Sequence, residues 1–416
     1  MIELVDERGY GAVTVHELAE RAGVSTRSFY QCFKGKQDCL LDTYEEITRA
    51  TARAFLVARE GEPDGRRSLE LGFGALAREL ARDPAAARLA LVEVYGAGLA
   101  TLERRSRVLA KFEAMLGRCL ATPAGEAEVP PLLVKGITAG LLRVMRARVV
   151  SGRERELPTL SAELVGWALC FRGAAAASLS RAAGDVPPLP VANEIGLDAG
   201  VDGEPRSIER GLLLSAAASL AAREGYWHLS GSRICAAAGL SPRIFARHFD
   251  SIEACFLATL ELLTENLIAD AEGQGAHTSS WPRGVHRAVT TLCQHCAADP
   301  ALARLAFVEI IAPGAVGVRC RVSLIGAIAE RFRASAPSSL RPAPLVAEAS
   351  IGAIWGVMHH QVASGRTEQL PAIAPALSFL ALAPVLGPDL AARAIAAESA
   401  CSRSEGLAAS IRSALC

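Results

Sequence analysis

Lysine and aromatic side chains are scarce in this sequence. Of its 44 basic residues only Lys34, Lys36, Lys111 and Lys135 are lysines, and Phe, Trp and Tyr fill 5% of 416 positions. Net charge is absent as well, since 44 acidic residues balance the 44 basic ones. That balance excludes a chain that coats nucleic acid or anionic lipid by bulk charge alone. The polar, highly charged composition of a disordered chain is also missing, because 51% of the residues are hydrophobic, mostly Ala, Leu and Val. Ala and Leu are strong helix formers, which predicts an all-α protein of two to three domains.

No apolar leader opens the chain: MIELVDERGYG carries acids where a basic and then apolar segment would stand. The eleven cysteines (Cys32, Cys39, Cys119, Cys170, Cys235, Cys255, Cys293, Cys296, Cys320, Cys401 and Cys416) are odd in number. They are expected as free, mostly buried thiols in a reducing cytoplasm. The longest uncharged stretch, Leu370 to Pro388, raises a membrane question by its length. It holds Pro371, Pro375, Pro384 and Pro388, which should break a spanning helix, so it is read as buried helix pieces with no membrane contact. A glycine-rich phosphate loop, a nucleophile elbow and a paired-carboxylate motif are all missing. The chain is not expected to be an enzyme or to carry a cofactor.

What is present is a repeat. At an offset of 216, Gly9-Tyr10 falls on Gly225-Tyr226, Ala22-Gly23 on Ala238-Gly239, and Phe29 and Phe33 on Phe245 and Phe249. The stretch Ala81 to Val94 matches Ala297 to Ile310 in the same register, and after a slip to 213, Ser151-Gly152-Arg153 matches Ser364-Gly365-Arg366. A register held over so much chain predicts a duplicated domain of roughly 190 residues. Between the copies, residues 184–206 are rich in Gly, Pro and Asp and read as a linker. Each copy is expected to divide in two: 1–45 and 46–183 in the first, 207–257 and 258–416 in the second.

Near the start of copy one, Thr14 with Glu17 three residues on forms a capping box, which opens a helix to about Arg21. Ala22-Gly23-Val24 turns the chain, and Ser25 can cap a second short helix, Thr26 to Phe33. This is a helix-turn-helix pattern. Its second helix should present Thr26, Arg27, Tyr30 and Gln31 outward while Phe29 and Phe33 turn in. Arg21, Arg27, Lys34 and Lys36 put four cations and no acid between residues 21 and 36, the local charge that phosphate contact requires.

The segment Thr14 to Leu41 strongly resembles the DNA-binding domain of TetR-family transcriptional regulators, in its Thr-capped helix, Ala-Gly-Val-Ser turn, aromatic-Tyr pair, Phe and following Lys. The resemblance implies a recognition helix from about Thr26 in the major groove, with Tyr30 and Lys36 on phosphates and Thr14 and Lys34 as further DNA contacts. It further implies an all-helical regulatory region whose last two helices build a four-helix interface, and an effector that lowers affinity for a double-stranded operator. Copy two, Leu229 to Leu257, resembles the same element with departures. Ala246 stands at the Tyr position, Ile252 at the Lys position and Arg233 at the capping-box acid. Arg243, Arg247 and His248 still offer donors as candidate DNA contacts, so copy two is open to weak, different or no contact with DNA. Only eight residues precede Gly9, against Arg210 to Glu224 in copy two, so part of the first helix is expected to be missing from copy one.

Cys293 and Cys296 flank His295, with His286 and His277 upstream, but no second CxxC or HxxxH completes a tetrahedral set. Copy one has Ala77, Glu79 and Leu80 at these places, so buried helix residues are expected rather than a metal site. Glu93 and Glu309 occupy equivalent apolar surroundings. They can orient a ligand, or pair with Arg88 and Arg304, which is the preferred reading. The sequence thus predicts two fused units, acting as an intrachain pseudo-dimer or as a homodimer. Two rivals remain, a ligand-binding or interaction module with decayed readers and a thiol- or metal-responsive regulator.

Overall fold

The computed structural model describes residues 1–121, 128–173, 205–276, 278 and 280–397, and among them every regular element is helical. In copy one the helices are α1 (Ile2–Arg8), α2 (Val15–Arg21), α3 (Thr26–Cys32), α4 (Lys36–Ala58), α5 (Gly65–Arg82), α6 (Pro84–Leu91), α7 (Leu99–Leu120), α8 (Pro131–Val150) and α9 (Leu157–Leu169). Copy two repeats them as α10 (Pro205–Glu224), α11 (Gly231–Ala237), α12 (Pro242–His248), α13 (Ile252–Ala276), α14 (Trp281–Ala298), α15 (Pro300–Phe307), α16 (Ala315–Ser335), α17 (Pro344–Ala363) and α18 (Leu370–Leu386). The expected tandem duplication is therefore present, with the register slipping between α7 and α8. The linker expectation lies outside the described residues except for 205 and 206, which open α10. Cys401, Cys416 and His277 lie outside them too.

Local chemistry sets the helix starts. Asp83 and Asp299 each accept a backbone N–H, from Ala86 and Leu302 at 2.9 Å, with Pro84 and Pro300 in the first turn. That combination favours a helix start because proline has no N–H to leave unsatisfied. α1 has 7 residues and buries Leu4 and Val5, whereas the 20-residue α10 buries Leu213, Leu214, Ala216, Ala217 and Leu220.

The prolines of α18 do not cut it. Pro375 and Pro384 lie inside one helix that ends at Gly387, whose φ is 82°, before a further helical run over 388–397. Each interior proline costs about 3 kcal/mol. Burial offsets this: Leu377, Phe379, Leu380, Leu382 and their neighbours are enclosed by α14 and α17. Although this helix is long and apolar enough to cross a bilayer, in the structure it is a core helix.

The copies pack on each other chiefly through α8 and α17. Small residues bring the two backbones together. A Cβ on Gly140 would lie 2.5 Å from the Ala349 carbonyl oxygen, and one on Gly356 would lie 2.1 Å from the Ala139 Cβ. Trp167 donates from Nε1 to Ser350 Oγ at 3.1 Å, and Glu348 accepts Arg148 at 3.1 Å and faces Arg143 at 3.3 Å. Beside this seam, Tyr95 is enclosed by guanidinium groups from both copies. Arg146 donates to its hydroxyl at 2.9 Å, while Arg105 and Arg321 stack on its ring at 4.7 and 5.1 Å.

Candidate nucleic-acid interface

The helix-turn-helix of copy one is built by its caps. The Thr14 hydroxyl accepts the Glu17 N–H at 3.3 Å, and the Glu17 carboxylate accepts the Thr14 N–H at 2.8 Å. Gly23 turns the chain with a φ of 68°, a conformation that disfavours a side chain. Ser25 then caps α3 by accepting the Ser28 N–H at 3.0 Å. Phe29 anchors α3 to the core and stacks on Phe33 at 5.2 Å. This orientation exposes Thr26, Arg27, Tyr30, Gln31 and Lys34, with Tyr30 59% exposed. Such a face offers hydrogen-bond donors to base edges and a cation and a phenol to phosphates.

Three sequence assignments change in the structure. Lys36 does not project from the face: its ammonium donates to the Tyr10 and Val13 carbonyls at 2.9 and 2.8 Å and sits 4.3 Å above the Tyr10 ring. Half-burial lowers its pKa, and its geometry is that of a clamp on the turn after α1. Thr14 uses its hydroxyl for the cap, donating it to Glu17 at 2.8 Å. Arg21 pairs with Glu3 and Glu7 at 3.0 and 3.1 Å. The four-cation patch therefore reduces to Arg27 and Lys34.

Copy two builds the same frame from different parts. Ser230 caps α11 by accepting the Arg233 N–H at 3.3 Å, and Arg233 pairs with Glu224 at 2.6 Å. In copy one the equivalent places carry Glu17 and Arg8, paired at 2.8 Å. The ion pair persists with its charges exchanged, so Arg233 restores the contact that the missing capping-box acid would have made. Arg243 and Arg247 are exposed on α12. His248 is not on that face: its side chain is 4% exposed and meets Glu209 at 2.9 Å. Ala246 and Asp250 replace the Tyr30 and Lys34 positions, so this face is poorer in phosphate donors. Trp227, 77% exposed on the turn Tyr226–His228, is an exposed group that motif reasoning missed.

Both readers are tied to their helical bodies by the same residue. The buried Glu93 accepts the Tyr10 N–H at 3.0 Å, and Glu309 accepts the Tyr226 N–H at 3.3 Å. Arg88 faces Glu93 at 3.9 Å and Arg304 faces Glu309 at 3.2 Å. The arginine pairing preferred from sequence is present, and the backbone contact gives these carboxylates a second duty that the sequence did not reveal. Neither is left free to orient a ligand.

Cys293 and Cys296 are buried within α14, and burial pushes the Cys296 thiol up to about 12 and Cys293 well above its ordinary value. His295 turns away to Asp270 at 2.6 Å, and His286 meets Ser378 at 2.7 Å. Among the described residues no three Cys, His, Asp or Glu side chains converge as a metal-binding group would.

A family model agrees with the local geometry. The family model for bacterial regulatory proteins of the tetR family matches residues 2–43 and again residues 213–259. Among solved structures, the fatty acid degradation regulator FadR from Bacillus halodurans is similar at 17% identity and a TM-score of 0.36. The match covers 44% of this chain and 96% of that one. A comparison with curated proteins returned no match.

Proposed function

We propose that this chain, which matches the tetR family model over residues 2–43 and 213–259, is a ligand-responsive repressor acting as an intrachain pseudo-dimer. Residues 1–45 and 207–257 serve as unequal readers of one double-stranded operator in the cytoplasm. Residues 46–183 and 258–416 form the body that joins them. The observation that carries the reading is the exposed α3 face of Thr26, Arg27, Tyr30, Gln31 and Lys34, on a helix-turn-helix that matches the tetR family model. The α8–α17 seam supports the pseudo-dimer, since α8 and α17 are among the helices that the resemblance assigns to an interface and they meet within a single chain.

An effector would act by binding the two reader separations unequally, which lowers DNA affinity by that difference. The carboxylates of Glu93 and Glu309 are the links through which the bodies would move the readers. A homodimer of identical readers demands a near-palindromic site. Two readers that differ at Tyr30 and Ala246 favour an asymmetric one instead. Selection of bound sequences from a random DNA pool tests this: one enriched, asymmetric site is expected. No enrichment would favour the rival of an interaction module with decayed readers, for which the replacement of Tyr30 and Lys34 by Ala246 and Asp250 speaks. A palindrome, with a particle of twice the chain mass persisting at nanomolar concentration, would replace the pseudo-dimer by a homodimer.

A further inference from the structure

The two bodies differ most in what fills the space between their first long helices. In copy one, Phe55 of α4 is buried flat against Gly72 of α5, so close that a Cβ at 72 would lie 2.8 Å from the ring. Its ring meets that of Phe112 on α7, with centroids 6.2 Å apart, and Phe73 is buried beside them. At the offset of 216 the counterparts of Phe55, Gly72, Phe73 and Phe112 are Ala271, Ala288, Val289 and Ile328. All four line a cavity of about 720 Å³ in copy two. Three phenyl rings have given way to aliphatic groups, and the room they would have filled stays open.

The cavity's chemistry is one-sided. Its walls are mostly aliphatic and aromatic, and its charged groups, Glu272 and Arg331, are ion-paired to each other. Trp281 spends its N–H on Ser335 at 3.1 Å. Trp355, another wall residue, is 6% exposed, and its indole N–H is buried with no acceptor. Native cavities of this size with few polar groups are ligand sites. We infer that copy two alone holds a small-molecule site, for an uncharged, largely apolar compound, and that copy one's equivalent is plugged by Phe55.

The inference deepens the ligand-responsive reading and rests on it only for the consequence at DNA. That consequence has a route. Trp355 and Met358 stand on α17, the helix that crosses α8 at the seam. Phe307, a third wall residue, stacks on Trp355 at 4.7 Å and lies two residues before Glu309, which holds the second reader. One ligand therefore touches both the joint between copies and the anchor of reader two, and the response is asymmetric.

Nile red, a neutral apolar dye, provides the probe for the full-length chain. One dye per chain is expected, and two per wild-type chain would overturn the single-site inference. The double variant Ala271→Phe with Ala288→Gly recreates the plug and should weaken dye binding at least about tenfold by filling the site. Unchanged affinity in that variant, if its circular dichroism melt is native-like, also overturns the site. Should it fail to fold, Val289→Phe decides: it restores one of copy one's rings and should weaken Nile red about fivefold, and unchanged affinity in that folded variant would overturn the site. If one dye binds as described yet DNA affinity is unmoved, the site stands and the effector reading falls.

Discussion

Lys34 and Lys36 are two residues apart, yet the fold gives them opposite tasks. Lys34 is exposed beside α3, whereas the Lys36 ammonium is spent on the carbonyls of Tyr10 and Val13. Lys34→Ala should flatten the salt dependence of DNA binding by about 0.9 in log–log slope, the value of one phosphate contact. Lys36→Met should leave that slope alone and instead destabilise the first reader by about 1–2 kcal/mol, as lost charge-assisted hydrogen bonds do. Binding measured across salt, together with urea unfolding, distinguishes the two; a slope change confined to Lys36→Met would refute the clamp. The sequence could place both lysines after a recognition helix but not tell them apart, because the carbonyls that capture Lys36 lie more than twenty residues upstream. The exchanged pair Arg8–Glu17 and Glu224–Arg233 is similar. Read singly, Arg233 looks like a lost cap; read with Glu224, it is the same bond reversed.

At the scale of elements, helix ends were legible and helix faces were not. The offset of 216 predicts α11 and α12 from α2 and α3 to the residue, since caps and glycines are local signals. Proline misled, because the local penalty of Pro375 and Pro384 in α18 is outweighed by burial that only tertiary packing supplies. The close crossing of α8 and α17 was equally hidden: glycine weakens a helix in isolation, and its use appears only when a second backbone arrives. Gly356→Ala and Gly166→Ala should therefore have opposite signs. A methyl at 356 would lie 2.1 Å from the Ala139 Cβ, whereas nothing lies within 4 Å of one at 166. The first is expected to cost about 1–3 kcal/mol by overpacking, and the second to add about 0.5–1 kcal/mol by stiffening the unfolded chain. Urea midpoints read both; destabilisation of equal size would mean that the seam is not tightly packed in solution.

For the whole molecule, the duplication creates a centre that neither copy has alone. Arg105 and Arg321 are equivalent residues, and both stack on Tyr95, whose own counterpart is Ile311. Burial alone would raise the phenol's pKa, but Arg105, Arg146 and Arg321 together overrule it and hold Tyr95 at about 7. Burial raises Tyr10 and Tyr226, and takes Tyr44 to about 12, so Tyr95 is shifted in the opposite direction to these three. A phenol ordinarily ionises near pH 10. Because the folded value is the lower one, ionisation stabilises the folded seam fully above about pH 10, and that contribution is lost as pH falls through about 7. The wild-type chain should therefore gain stability over Tyr95→Phe as pH rises from 7 towards 10, with one tyrosine's tyrosinate absorbance appearing near neutrality. Since α7 and α16 supply Arg105 and Arg321 to the same ring, the variant should also loosen the copies and weaken DNA binding most at alkaline pH. A difference in melting temperature that stays flat across this range would show that Tyr95 remains a neutral phenol between the copies.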